Sequence, residues 1–161
     1  MDGLPEVAAL FVDLAVVPSP SGEERAVADR VAAYLRDLAL AVDEDDAGSE
    51  IDSTIGNLLC RLEPTAEGTP LFFCAHLDTV PPQGPLEPVV EDGVVRNAGG
   101  TILGADNKAA VAVMLEATRR LVQEGRPHAG VELLLTPMEE VGLLGAKAFD
   151  TDALQARVGY C

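Results

Sequence analysis

The sequence has no tryptophan, only 11 basic residues against 27 acidic ones, and no long apolar run. Its net charge of −16 leaves no basic patch that could neutralise phosphates, which disfavours nucleic acid and anionic membranes as partners. No segment supplies the roughly 20 apolar residues of a membrane span. No basic start followed by an apolar stretch resembles a signal peptide. These absences predict a cytoplasmic protein.

Cysteine is also scarce. The three cysteines are odd in number, and none belongs to a Cys-x-x-Cys pair. Cys60 and Cys74 stand within apolar stretches of strand length, where a buried thiol is the usual role. This usage agrees with a reducing compartment.

The chain does have enough apolar residues for a core. They make up 48% of its 161 residues, which suits one globular domain and argues against a disordered chain. Helical and strand-length apolar patterns alternate, which predicts an α/β fold with helices covering a mostly parallel central sheet. We predict helices at residues 7–14, 21–38, 107–125 and 143–149, and strands at residues 40–43, 57–62, 71–75, 131–136 and 157–161.

Three local patterns add detail to this outline. Ser21 and Glu24 have the spacing of a capping box, which predicts that their side chains satisfy the first backbone amides of a helix. The first half of the long helix, residues 109–115, is apolar all round, so we expect it to be buried against the sheet. Residues 81–104 are rich in proline and glycine and are predicted to be mostly loop, with a short strand at residues 94–95.

Residues able to bind a metal stand at three places where a predicted strand ends or a helix begins. His76 and Asp78 follow an apolar run and lie two residues apart, hence on the same side of the backbone. Asp106 stands just before the long helix, where it could also serve as a simple cap. The adjacent Glu139 and Glu140 follow another apolar strand. Three such groups in one chain indicate a metal-dependent hydrolase.

Other templates fit poorly. The acidic run at residues 43–46 is not a calcium loop, because Ala47 stands where the third loop ligand should be and Thr54 where the closing glutamate should be. We predict a solvated turn there. Residues 99–104 have the spacing of a phosphate loop but lack its lysine. There is no Gly-x-Ser-x-Gly elbow of a serine hydrolase. His128 precedes a strand, away from the end where parallel sheets bind ligands, and is predicted to be a surface residue.

The metal-binding motifs carry a family resemblance. His-x-Asp at residues 76–78, Gly-Ala-Asp-Asn-Lys at residues 104–108 and Glu-Glu at residues 139–140 occur in that order. In this the chain resembles the zinc-dependent aminopeptidase and aminoacylase superfamily, which contains peptidase T, acetylornithine deacetylase and glutamate carboxypeptidase. Residues 91–108 are most similar to peptidase T and its tripeptidase-like relatives. The similarity runs from about residue 11 to residue 161.

The resemblance implies a role for each of these residues. It implies two zinc ions, with manganese or cobalt able to take their place. Asp106 would bridge the two ions, His76 would bind one of them and Glu140 the other. Glu139 would be the general base that takes a proton from water, and Asp78 would orient neighbouring groups. The resemblance also implies a cis peptide bond after Asp106.

The resemblance covers only part of the family's catalytic domain. Relatives supply one more aspartate ligand after the glutamate pair, one more histidine near their C-terminus, and an inserted domain for dimerisation and for closing over substrate. We therefore expect residues 1–161 to be the N-terminal part of a three-layer aminopeptidase-like catalytic domain, truncated, with the lid domain and the C-terminal part absent. Little activity is expected from such a part alone. Complete relatives are often homodimers.

The expected reaction is metal-dependent hydrolysis of peptide bonds in short peptides, as in a peptidase T-like aminopeptidase. Two alternatives remain open at this point. One is deacylation of N-acyl amino acids by an enzyme of the same superfamily. The other is a non-catalytic fragment that needs a partner chain.

Overall fold

A computed structural model describes residues 5–161 and shows a five-stranded sheet, a separate two-stranded hairpin and five helices among those residues. A 3-10 turn at Thr151–Ala153 precedes the last strand. In chain order the elements are α1 (Glu6–Ala15), α2 (Arg25–Asp37), β1 (Val42–Glu44), α3 (Ala47–Ile51), β2 (Leu58–Leu62), β3 (Leu71–His76), β4 (Pro88–Glu91), β5 (Val94–Asn97), α4 (Ala105–Gln123), β6 (Val131–Thr136), α5 (Leu144–Ala148) and β7 (Val158–Tyr160).

The sheet has the strand order β1-β2-β6-β3-β7. Strand β3 is parallel to both β6 and β7, whereas β2 is antiparallel to both β1 and β6. Strands β1, β6, β3 and β7 therefore point one way and β2 points the other, which confirms the mostly parallel sheet. His76 of β3 is paired with Thr136 of β6, so both strands end at the same edge. The segments that follow them are neighbours for that reason.

The core lies between the sheet and helices α1, α2 and α4. Helix α2 contributes one apolar stripe to this core, since Val27, Val31 and Leu35 are fully buried there. Leu133 and Leu135 alternate along β6 toward the same core, as expected for a strand with a covered face. Burying each such side chain contributes about 1.5–3 kcal/mol.

The sequence predictions about elements were incomplete in three places. Residues 81–104 contain a full hairpin, β4 paired with β5, where one short strand at residues 94–95 was predicted. Its turn is Asp92-Gly93, both with positive φ, and Asp-Gly is a strong hairpin signal. The short helix α3 was not predicted. The first half of α4 is buried against the sheet as predicted, through Val111, Ala112 and Leu115, but only on one face: Val113 is 57% exposed, because a helix lying on one face of a sheet keeps its outer side uncovered.

The capping box was also wrong. Helix α2 begins at Arg25, Glu24 is its N-cap residue, and no side-chain cap bond forms there. The Ser21 hydroxyl donates instead to the buried carboxylate of Asp78, at 2.6 Å. The Arg25 amide donates to the Thr54 hydroxyl, at 3.3 Å. A hydrogen bond that the Ser21 hydroxyl donates to a charged carboxylate is stronger than one that it accepts from a neutral backbone amide, so Ser21 pairs with the distant Asp78.

The acidic run at residues 43–46 is more than the solvated turn we predicted. Glu44 forms a two-point ion pair with Arg25, at 3.0 and 2.6 Å, and the hydrogen bond from Arg25 lowers the pKa of Glu44. Asp45 accepts hydrogen bonds from the Asn57 backbone and side chain, at 2.7 and 2.9 Å. The run therefore ties the start of α2 and the start of β2 to the edge strand.

None of the helices in the described residues is both long enough and apolar enough to cross a membrane.

Candidate metal centre

Strand β3 carries His76 to the edge of the sheet, where the imidazole is buried. Its Nδ1 lies 2.9 Å from the backbone carbonyl of Asp78. A carbonyl oxygen only accepts hydrogen bonds, so Nδ1 is the donor, and in the neutral ring Nε2 keeps a free lone pair. Nε2 lies 3.1 Å from Oδ1 of Asp106. The fold therefore presents Nε2 of His76, the predicted metal ligand, directly to the carboxylate of Asp106.

His76, Asp106 and Glu140 come together in space although they stand in three separate segments. Each offers one donor atom, and these atoms all lie within 4.8 Å of one another. The side chain of Asp106 is 83% exposed, so its second oxygen is free to reach a cation. One imidazole nitrogen and two carboxylates suit a divalent ion such as zinc. The residues present therefore fit a metal.

Glu139 sits at the edge of this group. Its Oε2 lies 3.8 Å from Nε2 of His76, and its side chain is about one-third exposed. The carboxyl group is thus close to the metal-binding atoms and open to solvent. That placement suits a group that exchanges protons with a water molecule.

Asp78 is fully buried and connects the strand end to the glutamate loop. Its Oδ1 accepts the backbone amide of Glu139 at 2.8 Å, and its Oδ2 accepts the backbone amide of Glu140 at 3.1 Å. Oδ2 also accepts the Ser21 hydroxyl, and Oδ1 lies 3.4 Å from Nδ1 of His76. These contacts support the orienting role that the resemblance implied for Asp78.

The electrostatics of this pair follow from its contacts. Burial disfavours the charged form of His76, but the hydrogen bonds and charge of Asp78, together with Asp106, outweigh burial and raise the pKa of the imidazole to about 9. Burial also disfavours the Asp78 carboxylate, yet hydrogen bonds from His76, Ser21 and the backbone lower its pKa to about 2. A cation binding at Nε2 must displace the proton held there, so metal binding releases a proton.

Sequence reasoning missed a buried lysine beside the site. Lys108 is 1% exposed, its Nζ donates a hydrogen bond to the backbone carbonyl of Val17, and burial lowers its pKa to about 8. Its signal in the sequence was a single charged residue at the start of an otherwise apolar helical run. Lys108 ties the first turn of α4, which carries Asp106, to the segment between α1 and α2.

Two further sequence expectations concern local structure near these residues. The peptide bond between Asp106 and Asn107 is cis, which confirms the prediction. His128 lies before β6, at the opposite end of that strand from the glutamate pair, and is partly buried rather than a surface residue.

Comparisons with known proteins indicate the family and the fold of the chain. Residues 57–159 match Peptidase family M28. Protein YqjE of Bacillus subtilis (strain 168) is 39% identical over 150 residues, which are 93% of this chain and 40% of YqjE. The crystal structure of aminopeptidase PepT from Bacillus cereus ATCC 10987 superimposes with a TM-score of 0.91 and 37% identity, over 96% of this chain and 42% of PepT. A tripeptidase from Staphylococcus aureus subsp. aureus Mu50 gives a TM-score of 0.90 and 34% identity over the same shares.

These matches confirm the resemblance to peptidase T and the aminopeptidase-like α/β fold that the sequence predicted. The chain spans about two fifths of the length of these relatives.

Proposed function

Because this chain belongs to Peptidase family M28, we propose that its metal centre serves the hydrolysis of peptide bonds in short peptides, as an aminopeptidase. The observation that carries this proposal is the meeting of His76, Asp106 and Glu140, whose donor atoms lie within 4.8 Å of one another. Glu139 stands beside them with a carboxyl group open to solvent. A metal-ligand group with an adjacent general base is an arrangement that supports metal-assisted amide hydrolysis.

In the proposed site, His76, Asp106 and Glu140 would together hold the divalent ions. When bound, the ions supply Lewis acidity to the scissile carbonyl. Glu139 would take a proton from the attacking water as the water oxygen bonds to the carbonyl carbon, and would pass that proton to the departing amine as the C–N bond breaks. Asp78 holds the backbone of both glutamates and faces His76, and so keeps base and ligands in fixed relation.

The finer parts of the proposal concern the whole protein. Zinc is the proposed metal, with manganese or cobalt able to use the same ligands. We propose that residues 1–161 form the N-terminal part of the catalytic domain and that the remaining ligands, an aspartate and a histidine, come from elsewhere in the assembled enzyme. A lid domain, homodimers and a cytoplasmic location belong to the same proposal. Two ligands for each ion would bind zinc more weakly than three.

Replacing the proposed base tests the reaction. In the assembled enzyme loaded with zinc, Glu139→Gln is expected to abolish hydrolysis of a tripeptide while the bound metal, measured by atomic absorption, stays unchanged. Glu67→Gln is the control, since Glu67 is exposed and lies in the loop before β3, opposite the end that carries His76. Full tripeptide hydrolysis by Glu139→Gln would contradict the proposal.

A second substrate separates the alternatives. Release of acetate from N-acetyl amino acids, with no cleavage of tripeptides, would favour the deacylase of the same superfamily. No hydrolysis of either substrate at saturating zinc would favour a non-catalytic fragment that needs a partner chain.

A further inference from the structure

A second buried carboxyl group, that of Glu24, touches the loop that carries the two functional glutamates. Glu24 is 0% exposed, and its Oε1 accepts the backbone amide of Met138 at 3.1 Å. The two residues are 114 positions apart in the sequence. We propose that Glu24 is a positioning residue of the hydrolytic site, which fixes the backbone from which Glu139 and Glu140 project. The inference rests on the proposed function and deepens it.

The hydrogen bond from Met138 to Glu24 is one of three that neighbouring backbone amides of this loop donate to carboxyl groups. The amides of Met138, Glu139 and Glu140 are three consecutive donors, and each is accepted by a buried carboxyl oxygen: Oε1 of Glu24, Oδ1 of Asp78 and Oδ2 of Asp78. Consecutive amides pointing into one concave space bind anionic oxygens well. Here the anions belong to the protein itself. Two carboxyl groups from distant segments thus share one loop.

The loop depends on such contacts because its backbone is strained at Met138. Met138 has a φ of 55°, in the left-handed region that residues with a Cβ seldom adopt. Such a residue is unfavourable and persists only where its surroundings fix it. Backbone bonds from residues 142–145 to residues 137–139 close the turn on its far side. Glu24 and Asp78 hold its near side.

Glu24 is itself well fixed. Its Oε1 also accepts the amide of Gly22 at 2.8 Å, and its Oε2 accepts the Ser53 hydroxyl at 3.0 Å. Both carboxyl oxygens of Glu24 are therefore occupied by partners within the protein, as a buried polar group requires, and its role is to hold these segments together.

The segment around Glu24 reaches the other ligands as well. The Ser19 hydroxyl donates to the Leu77 carbonyl at 2.9 Å, and the Ser19 carbonyl accepts the Thr79 amide at 2.9 Å, just beyond His76. Lys108 holds Val17 from the start of α4, close to Asp106. Residues 17–24 thus contact every segment that carries a proposed metal ligand. Among these residues, Glu24 contacts Met138, in the loop that carries Glu140 and the proposed base.

Removal of the carboxyl group tests the proposal against a matched control. Glu132 is also buried, and its Oε2 accepts two consecutive backbone amides, those of Gln155 and Ala156, at 2.9 and 2.8 Å. That loop carries no proposed site residue. Glu132 Oε1 also accepts a hydrogen bond from Arg61 Nε at 2.8 Å. Glu24→Ala and Glu132→Ala therefore each delete a buried carboxyl group that accepts backbone amides, near the site and away from it, and Glu132→Ala removes an ion pair in addition.

In the assembled enzyme, Glu24→Ala is expected to lower kcat for a tripeptide and to weaken zinc binding, each by roughly 10- to 100-fold, as losses of ligand-supporting groups do. Glu132→Ala is expected to lower the melting temperature and to leave kcat per folded molecule unchanged. Glu24→Gln keeps one acceptor oxygen and is expected to recover most of both losses. If Glu24→Ala does not fold, Glu24→Met, which fills the same space without a carboxyl group, takes its place.

Amide hydrogen exchange of the metal-free protein gives a readout that does not depend on activity. Exchange at Met138, Glu139 and Glu140 is expected to accelerate in Glu24→Ala and not in Glu132→Ala. Unchanged exchange at these amides, with kcat and zinc affinity altered no more than in Glu132→Ala, would overturn the proposal. If the wild-type protein cleaves no peptide but Glu24→Ala still weakens zinc binding and exposes these amides, the positioning role stands and the proposed function fails.

Discussion

Replacing Asp78 by asparagine is expected to destabilise the folded protein although the side chain keeps its shape. Both carboxylate oxygens of Asp78 accept a backbone amide, from Glu139 at 2.8 Å and from Glu140 at 3.1 Å. Asparagine has one acceptor oxygen, and its amide nitrogen is a donor. Whichever way the amide turns, one buried backbone N–H faces another N–H. No rotation of the new side chain repairs the loss.

The size of the effect follows from these contacts. Losing one hydrogen bond to a charged acceptor costs about 1.5–3 kcal/mol. That is a sizeable share of the roughly 5–15 kcal/mol that typically holds a domain folded. For a domain of this length it corresponds to a fall in melting temperature of about 3–12 °C.

Urea unfolding followed by circular dichroism measures this loss. Asp150→Asn is the control, because Asp150 is an exposed cap whose Oδ1 accepts the Asp152 amide, and asparagine caps about as well as aspartate. We expect Asp150→Asn to stay within about 0.5 kcal/mol of the wild type. A similarly small change for Asp78→Asn would refute the argument that both oxygens of Asp78 are needed as acceptors.

Two further predictions concern regions away from the glutamate loop. A Cβ on Gly159 would lie 2.4 Å from the Phe72 ring, so Gly159→Ala is expected to lower the free energy of unfolding by about 1–3 kcal/mol in urea titrations. Adding Phe72→Leu should recover much of this loss. No recovery in the double variant would contradict the contact. Glu44→Gln removes an ion pair with Arg25 that is partly exposed to solvent, so the expected loss near neutral pH is at most about 1 kcal/mol. The Arg25 contact lowers the pKa of Glu44 in the folded state, so its stabilisation is present above the unfolded pKa and fades as pH falls through the folded one. Wild type and Glu44→Gln should therefore converge in acid, and a constant difference across the titration would contradict this assignment.

The sequence predicted the parts of the fold that depend on continuous local patterns. The apolar run at residues 131–136 became β6 with the same bounds, and the run at residues 71–75 became β3 with His76 added. The parallel-sheet argument then explained why His76 and the glutamate pair are neighbours, since adjacent parallel strands end at one edge. The Asp-Gly turn of the β4–β5 hairpin was an equally local signal and was overlooked.

What the sequence did not show are contacts between distant segments. Ser21 reaches Asp78 across 57 positions, Lys108 reaches Val17 across 91, and Glu24 reaches Met138 across 114. Periodicity reports which face of an element is apolar but not which buried polar groups will meet. At Ser21 and Glu24 the local pattern was misleading, because a buried carboxylate and a strained loop bound these side chains more strongly than the helix end did.

The most direct test of the metal centre is a calorimetric titration of the purified protein with zinc. His76 offers its Nε2 beside Asp106, whereas His128, the only other histidine, lies at the far end of β6. We expect saturable zinc binding that His76→Ala weakens at least about tenfold, as the loss of a metal ligand should. His128→Ala is expected to leave the zinc affinity unchanged. Equal zinc affinity in the wild type and in His76→Ala would contradict the assignment of His76 as a ligand.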